Sequence, residues 1–376
     1  MSRQAKIAVV VAVVACLLAV LLHSLRPHLT NGSTGHSTAN PMQHGREESA
    51  QLVPPSVDPS NVFPVHVGIF VENFHDVSVK DRRFMAEGYF WYKWDDRLDE
   101  VVKRLSLDPT RLIEISNMVD EWDSAITPMY EKPVRLKDGR HYMQIRFSAN
   151  FYIPHLDLTR SPFESLVLPL NLEVYPNELA TQSSYMQLIP EKLPVTESLY
   201  GRDAEIDGYR LDGIMPQPFG HNYDTSWGLE DGSLTFSAVR YAALFSSDPG
   251  PGILLWVLPV LIVTMIVIIA PSIESSLGDI RIAIPSTGLL TLIFLQQGYR
   301  DTLPALDYLT FLDWLYACAY VISLVIFVVF LWSTNVCHRA GHAQSEEVIK
   351  RVARVDLIAQ ISSISALIVV GMLAWF

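Results

Sequence analysis

One stretch in the C-terminal third of the chain repeats polar and acidic residues at the spacing of a single helical face. Steps of four and then three residues keep side chains on one face of a helix. Such steps give the seven residues that we call the stripe: Asp279, Ala283, Thr287, Leu290, Phe294, Gln297 and Asp301. The stripe is acidic at both ends and apolar in the middle. A helix buried on all sides has no use for carboxylates at both ends of one face, so the pattern favours a face that meets water.

Ordinary helix packing could also produce this pattern. Apolar residues at helical spacing more often form a packed core than a constriction, and acids at helix ends are ordinarily only solvated. Pro285 removes a backbone donor, which predicts either a tolerated kink or a bend that sets the width of one end. Arg281 is expected to point away from the stripe or to reach the membrane interface. Arg300 is expected to neutralise Asp301 in part.

Four apolar segments are each long enough to cross a bilayer as a helix, which needs ~20 apolar residues. They cover about residues 252–270, 278–298, 308–332 and 357–376. The loop before the last segment carries the densest basic cluster near a membrane end: Arg339, Lys350, Arg351 and Arg354. The positive-inside rule places this loop in the cytoplasm. Counting back along the chain then places residues 61–250 outside the cytoplasm.

The N-terminal region agrees with that topology. Within residues 1–25, a short apolar run at 7–22 follows Arg3 and Lys6. A basic start and a short apolar run predict an export signal, and both a cleaved peptide and an uncleaved anchor remain open. Residues 26–60 are rich in Ser, Thr, Asn, Gly and Pro and predict a flexible linker.

Residues 61–250 predict an antiparallel β-sandwich. Apolar and polar residues alternate at period two, with turn residues between the segments, at 65–71, 142–147, 163–174 and 233–245. Short alternating segments of this kind are typical of a sandwich. A helix is also expected at about residues 108–120. Residues 251–376 would then form a four-helix transmembrane domain.

Composition excludes several classes of protein. The net charge of −12 argues against nucleic acid as a partner, because phosphate binding needs clustered Lys and Arg. The three cysteines, Cys16, Cys318 and Cys337, lie in or beside apolar runs and make neither a disulfide framework nor a zinc site. The sequence contains no nucleophile elbow, metal-spaced histidine cluster or phosphate loop. We therefore expect neither an enzyme nor a cofactor.

Residues 149–164 resemble the signature loop of the Cys-loop receptor superfamily, the pentameric ligand-gated ion channels. The loop's Pro-aromatic-acid core is here Pro162-Phe163-Glu164, with Glu in place of the usual Asp. Pro154 and Leu168 stand where animal members have two cysteines. Prokaryotic members also lack these cysteines, so the resemblance indicates the bacterial branch.

The membrane part carries the more specific resemblance. Leu258-Pro259 in the first span, the spacing from Arg281 to Leu303-Pro304, and the start of the third span at residues 308–313 are similar to the family. Residues 94–98 look like the family's Trp-x-Asp-x-Arg-Leu strand, one residue short. The arginine usual before the first span is absent, and Ser-Ser-Asp stands at 246–248.

The resemblance implies a homopentamer in the bacterial inner membrane whose pore is lined by the stripe. A ring of Asp279 carboxylates would select cations, and rings of Leu290 and Phe294 would form a gate that closes by dewetting. Because Arg300 adjoins Asp301, Asp279 is the firmer selectivity residue. The expected partners are lipid, permeating cations, and a small-molecule agonist or protons whose binding to the outer domain opens the pore.

The family binds agonists between neighbouring outer domains, in a box of aromatic side chains. The candidates are Phe90 and Trp91 on one face and Tyr130, Tyr175, Phe219, Tyr223 and Trp227 on the other. Aromatic rings suit cation–π capture of amines, although aromatics also form the ordinary core of a sandwich. His155 and His221 are candidates for proton sensing, whereas His66 is expected at the surface.

Coupling of the outer domain to the pore is expected through Pro162, Phe163 and Glu164, which should contact the loop from Pro304 to Tyr308. The altered residues at this junction leave a second function open, a receptor-like sensor or partner-binding protein that does not conduct. An enzyme anchored by a helical bundle ranks lowest.

Overall fold

The computed structural model describes residues 48–49, 52–119, 124–192, 194, 198–225, 234–274, 277–340 and 346–375. The predicted signal segment at 1–25, most of the predicted linker, and Trp227 lie outside these residues. The chain forms two compact units. The first comprises Ala39–Leu156 and Ser165–Ser247, and the second contains Asp157–Glu164 and Asp248–Phe376.

The first unit is built from two sheets. Its strands are β1 (Glu48–Ser49), β2 (Val62–Ser78), β3 (Arg83–Trp94), β4 (Ile113–Ile115), β5 (Ala125–Pro128), β6 (Val134–Arg135), β7 (His141–Tyr152), β8 (Ser165–Val174), β9 (Ala180–Thr181), β10 (Ser184–Pro190), β11 (Tyr209–Tyr223) and β12 (Leu234–Ser247). One sheet has the order β1-β11-β12-β8-β4. The other has the order β5-β7-β3-β2-β10-β9, with β6 paired to β7. The β-rich domain expected from the alternating segments is confirmed.

Alternation along the strands creates one core between the two sheets. In β3, buried and less buried residues alternate from Phe84 to Trp94, as period two requires of a strand with one buried face. Residues of both sheets share one buried cluster; for example, the ring of Phe74 in β2 meets that of Phe245 in β12 edge to face at 5.3 Å. The sheets are not wholly antiparallel, because β10 pairs with β2 in parallel.

The helix predicted at about residues 108–120 is wrong. Among the described residues, the α-helix of this unit is α1 (Asp96–Arg104), which begins where Asp95 accepts a hydrogen bond from the backbone N–H of Leu98. Acids in its first turn and bases in its last turn suit the helix dipole. Residues 113–115 instead form β4, whose backbone pairs with β8, so long-range pairing overrides the local pattern.

The second unit contains four helices that are long and apolar enough to cross a membrane, which indicates a multi-pass membrane protein. Within the described residues, the first span runs over Pro249–Ser272 and contains α2 (Leu258–Ile269), and the other three are α3 (Gly278–Arg300), α4 (Phe311–Ala340) and α5 (Glu346–Trp375). A helical turn at Pro249–Gly252 and a π-helical turn at Ile253–Val257 precede α2. Pro259 follows that π-helical turn. Proline has no backbone N–H to donate, and the wider turn makes room for its ring.

The bounds of α4 and α5 differ most from the predicted spans. α4 begins at Phe311, because Thr310 and Asp313 exchange hydrogen bonds: Thr310 N–H donates to Asp313 Oδ2 (2.9 Å), and Asp313 N–H donates to Thr310 Oγ1 (3.2 Å). This reciprocal arrangement resembles a capping box. α5 begins at Glu346, well before the apolar run. Ion pairs at i,i+4 spacing, such as Lys350–Glu346 (2.6 Å), support its polar first turns.

Candidate functional site

Six residues of the stripe lie on the exposed face of α3, and the seventh, Asp301, directly follows the last residue of the helix. Leu290 is 54% exposed and Phe294 is 64% exposed in the single chain, and the other five stripe residues are exposed as well. The opposite face of the helix is buried against the rest of the unit: Arg281, Pro285, Gly288, Leu292 and Tyr299. The face of α3 that the residue spacing marks as polar is therefore the exposed face in the structure.

A close approach of α2 holds α3 in this orientation. A Cβ atom on Gly288 would stand 2.6 Å from Cγ2 of Val267 in α2, which is closer than atoms tolerate. Pro285 also lies on this buried face, and the hydroxyl of Ser286 donates to the carbonyl of Ile282 at 2.9 Å. The proline is thus accommodated inside the unit, away from the stripe.

Arg281 turns away from the stripe and into the unit. Its side chain is 1% exposed, and its Nη2 atom lies 2.6 Å from Oδ2 of Asp356 in α5. Its guanidinium also stands 4.3 Å from the ring centroid of Phe330 in α4, a cation–π distance. Asp279, two residues earlier, remains exposed. The positive charge of Arg281 is therefore compensated by Asp356 and not by the acid of the stripe.

The C-terminal end of α3 shows a second compensated arginine. Nη2 of Arg300 lies 2.9 Å from Oδ2 of Asp313, and the hydroxyl of Tyr299 donates to Oγ1 of Thr310 at 2.9 Å. These contacts attach the end of α3 to the start of α4. Asp301 stays exposed. The ion pair of Arg300 is thus with Asp313, whereas the sequence predicts one with its neighbour Asp301.

Residues 157–164, a loop that ends with the predicted coupling residues Pro162, Phe163 and Glu164, belong to the second unit. The backbone N–H of Leu158 donates to the hydroxyl of Tyr308 (3.0 Å), and the carbonyl of Thr159 accepts from the N–H of Phe311 (2.7 Å). The ring of Phe163 lies 6.0 Å from that of Phe311 and 5.6 Å from that of Trp375.

The hydrogen bond to the predicted loop from Pro304 to Tyr308 comes from Leu158, and the ring contacts of Phe163 are with Phe311 and Trp375. Pro162 packs closely on Gly252, since a Cβ atom at Gly252 would stand only 3.0 Å from the carbonyl oxygen of Pro162. Glu164 is the last residue of the loop in this unit. Phe163 thus meets the first residue of α4 and the last of α5. The sequence offers only a weak signal for Trp375, an aromatic residue at the end of an apolar run.

The first unit contains an open cleft of about 260 Å³ beside the ends of β4, β8 and β11. Its lining is acidic and aromatic: Glu114, Glu173, Val174, Tyr175, Asn177, Tyr223 and Phe236. Tyr175 and Tyr223 are predicted ligand-binding residues, and the cleft brings them together. The sequence does not single out the two glutamates, because they are far apart in the chain and only the strand register sets Glu114 opposite Glu173.

Hydrogen bonds fix the deeper of the two glutamates. The Glu173 side chain is 2% exposed. Its Oε2 atom lies 2.7 Å from Nδ1 of His221, and its Oε1 atom accepts from the hydroxyl of Tyr223 at 3.0 Å. The His221 and Tyr223 rings lie 4.3 Å apart. His221, a predicted proton-sensing residue, is thus part of the wall behind the cleft.

Glu114 has an unusual protonation equilibrium. Burial, together with the negative charge of Glu173, raises the pKa of Glu114 to about 7. Residues directly opposite each other on paired antiparallel strands have neighbouring side chains, and like charges there repel. The cleft therefore changes its charge in the neutral pH range.

The Glu114→Gln variant is expected to be more stable than the wild type at alkaline pH. Because folding raises this pKa above its ordinary value of 4.5, the ionised carboxylate destabilises the fold as pH rises from 4.5 through 7. The full effect, reduced for partial exposure, is about 1–2 kcal/mol at pH 8.5 and about a quarter of that at pH 5. Thermal unfolding of the detergent-solubilised variants at both pH values measures it. An equal difference at the two pH values would contradict the raised pKa.

The remaining predicted ligand residues lie elsewhere in the first unit. Phe90 is 1% exposed and belongs to the core. Trp91 belongs to β3, in the sheet that does not contain the cleft. Its ring lies against Gly68, and its Nε1 donates to Oε2 of Glu191 at 2.7 Å. Tyr130 is exposed beside Tyr142, a residue of β7 in that same sheet. These three residues do not line the cleft.

Phe219 is close to the cleft but does not line it. Its side chain is buried under the guanidinium of Arg240, whose Cζ lies 5.0 Å from the ring centroid, and it neighbours His221. His155 is exposed after the end of β7, and His66 is half-buried in β2. Within the described residues, no group of three or more His, Cys, Asp or Glu side chains is placed to hold a metal ion.

No protein-family model matches the chain, and no curated protein is significantly similar to it. The exposed stripe of α3 and the acidic cleft are therefore the features that bear on function.

Proposed function

We propose that this protein is a subunit of a homopentameric ligand-gated cation channel, with α3 lining the pore. The observation that carries the proposal is the exposure of the complete stripe on one face of a membrane-crossing helix. Asp279 and Asp301 lie at its ends, and Thr287 lies between them. Ionisable residues in a membrane segment are costly when they face lipid, and they ordinarily face a bundle interior or a water-filled cavity. A ring of subunits that encloses this face in water removes that cost.

The sequence of side chains along the stripe supports a gated cation pore. Five Asp279 carboxylates would form a ring at the cytoplasmic mouth, where they concentrate cations and repel anions. Arg281 would not neutralise this ring, because its guanidinium is paired with Asp356 on the buried side of the helix. Leu290 and Phe294 would form narrow apolar rings that stop ion flow by excluding water.

The cleft supports a cationic ligand. Glu114 and Glu173 supply negative charge, while Tyr175 and Tyr223 supply aromatic faces, and both groups attract an ammonium ion. In this proposal the β-rich domain lies outside the cytoplasm of a bacterial cell. Occupation of the cleft by a small organic cation, or a change in its protonation, shifts the equilibrium between closed and open pores.

Recordings from the purified full-length protein in planar bilayers test the proposal. Current carried by cations, which appears on addition of a small ammonium compound or on a change of external pH, would support it. A ligand-dependent change in the fluorescence of the protein, without current under any condition, would instead favour a receptor-like sensor that does not conduct.

The Asp279→Asn variant is expected to lose cation preference. Removing one carboxylate per subunit removes the whole charged ring at one mouth, so the cation-to-anion permeability ratio should fall several-fold. Reversal potentials under a salt gradient measure the ratio. The matched control is Asp307→Asn, because Asp307 is exposed but lies outside the stripe. An unchanged ratio in the Asp279 variant would show that the selectivity element lies elsewhere.

A further inference from the structure

The acidic cleft contains two carboxyl groups in different situations. Glu173 is almost fully buried, and both of its oxygens are engaged, one by His221 and one by Tyr223. Glu114 stands opposite it in the strand register and lines the open side of the same cleft. Glu114 is therefore the carboxyl group that is placed to receive a proton or a cation from solution.

The other charged and titratable groups come from each strand of this sheet that packs around the pair. From β8 and the residue after it come Glu173 and Tyr175, and from β11 come His221 and Tyr223. From β12 comes Arg240, whose Nε atom lies 3.2 Å from Oδ1 of Asn171 in β8. The Arg240 guanidinium also stacks on Phe219. Among these groups, only Glu114 and Glu173 are carboxylic acids.

We propose that a proton and a small organic cation compete for Glu114 in this cleft, so that acidification releases the ligand. This inference rests on the proposed function only for its consequence, the closing of the pore. The competition itself is a property of the β-rich domain. A neutral Glu114 leaves the cleft with the Glu173 carboxylate alone, which is already engaged, whereas an ionised Glu114 adds an available negative charge beside Tyr175.

Linkage sets the size of the effect. If cation binding requires ionised Glu114, then the ligand must displace the proton. By linkage, protonation then lowers the affinity for the ligand by the same factor by which the ligand lowers the affinity for the proton. A carboxyl group with a pKa of about 7 is almost fully ionised at pH 8.5 and almost fully protonated at pH 5.5. Exclusive competition then makes binding about 30-fold weaker at pH 5.5.

Isothermal titration of the full-length protein with tetramethylammonium tests the inference, because the charge of this probe does not change with pH. We expect about 30-fold weaker binding at pH 5.5 than at pH 8.5. At pH 7, titrations in two buffers of different ionisation enthalpy should show release of protons on binding. In Glu114→Gln, binding at pH 8.5 should be weaker, and the ratio of the affinities at pH 8.5 and pH 5.5 should fall below about threefold. Glu178→Gln removes an exposed charge close to the cleft and should behave as the wild type.

Three outcomes would overturn the inference: no binding at either pH, equal affinity at both pH values without proton release, or an unchanged pH ratio in the Glu114 variant. Failure of this inference and failure of the proposed function are distinguishable. Expected binding with no current would reject the channel alone. Current evoked by tetramethylammonium with pH-independent affinity would reject the competition alone.

Discussion

Replacing Leu290 with alanine is expected to produce a pore that conducts without any ligand. Leu290 lies at the middle of the stripe and is more than half exposed in the single chain, and in the proposed ring it would face the pore axis. Truncation widens the apolar constriction and makes it easier to wet. If each truncation shifts the free-energy difference between closed and open pores by only one methylene equivalent, ~0.8 kcal/mol, then five subunits shift it by about 4 kcal/mol. The ratio of open to closed pores then rises on the order of 1000-fold.

Efflux of a cation from proteoliposomes without ligand measures this effect. The matched control is Leu289→Ala, which removes the same atoms from the neighbouring position on a different face of α3. That variant should stay closed without ligand, although its helix packing is weakened. Equal leak from the two variants would show that loosened packing, and not the apolar ring, opens the pore.

The stripe was predictable because helix geometry is fixed. A period of 3.6 residues separates the polar positions from Gly288 and Leu292 on the opposite face, and packing against α2 needs a small residue at 288. Local composition therefore decides which face is buried. The same reasoning explains why the strands were predictable: in β3 the alternation of residue types matches the alternation of burial.

The cleft was only half predictable, because its parts meet through long-range pairing. Tyr175 and Tyr223 could be singled out by residue type, as aromatics beside turn-forming residues, although Tyr223 ends β11 and packs against the core. Glu114 lies where a helix was expected, and only its pairing with β8 brings it opposite Glu173. No local pattern encodes a strand register between segments so far apart in sequence.

Arg281 shows the same limit inside the membrane unit. From the sequence, Arg281 is expected to point away from the stripe or to reach the interface, and no local pattern links it to Asp356. The structure joins them in a buried pair at 2.6 Å. Each charge alone is unfavourable in an apolar bundle, and only their contact makes both positions acceptable.

Breaking that pair from one side is therefore expected to be strongly destabilising. In Arg281→Met the Asp356 carboxylate stays in place without its partner, which costs about 3–5 kcal/mol for a buried pair. In the double variant Arg281→Met/Asp356→Leu no uncompensated charge remains, and stability should return to within about 1 kcal/mol of the wild type. Thermal unfolding of the detergent-solubilised variants measures both effects.

Lys350→Met provides the matched control, since it breaks the exposed Lys350–Glu346 pair on α5 and should change stability by no more than about 0.5 kcal/mol. A double variant as unstable as Arg281→Met would assign the loss to the packing of the arginine side chain on Phe330, and not to the uncompensated charge. In the proposed channel the pair also bears on the pore, because Arg281, which ties the start of α3 to Asp356, is two residues from Asp279. The double variant should then keep its stability and yet lower the cation-to-anion permeability ratio, because the Asp279 carboxylates would lose this anchor.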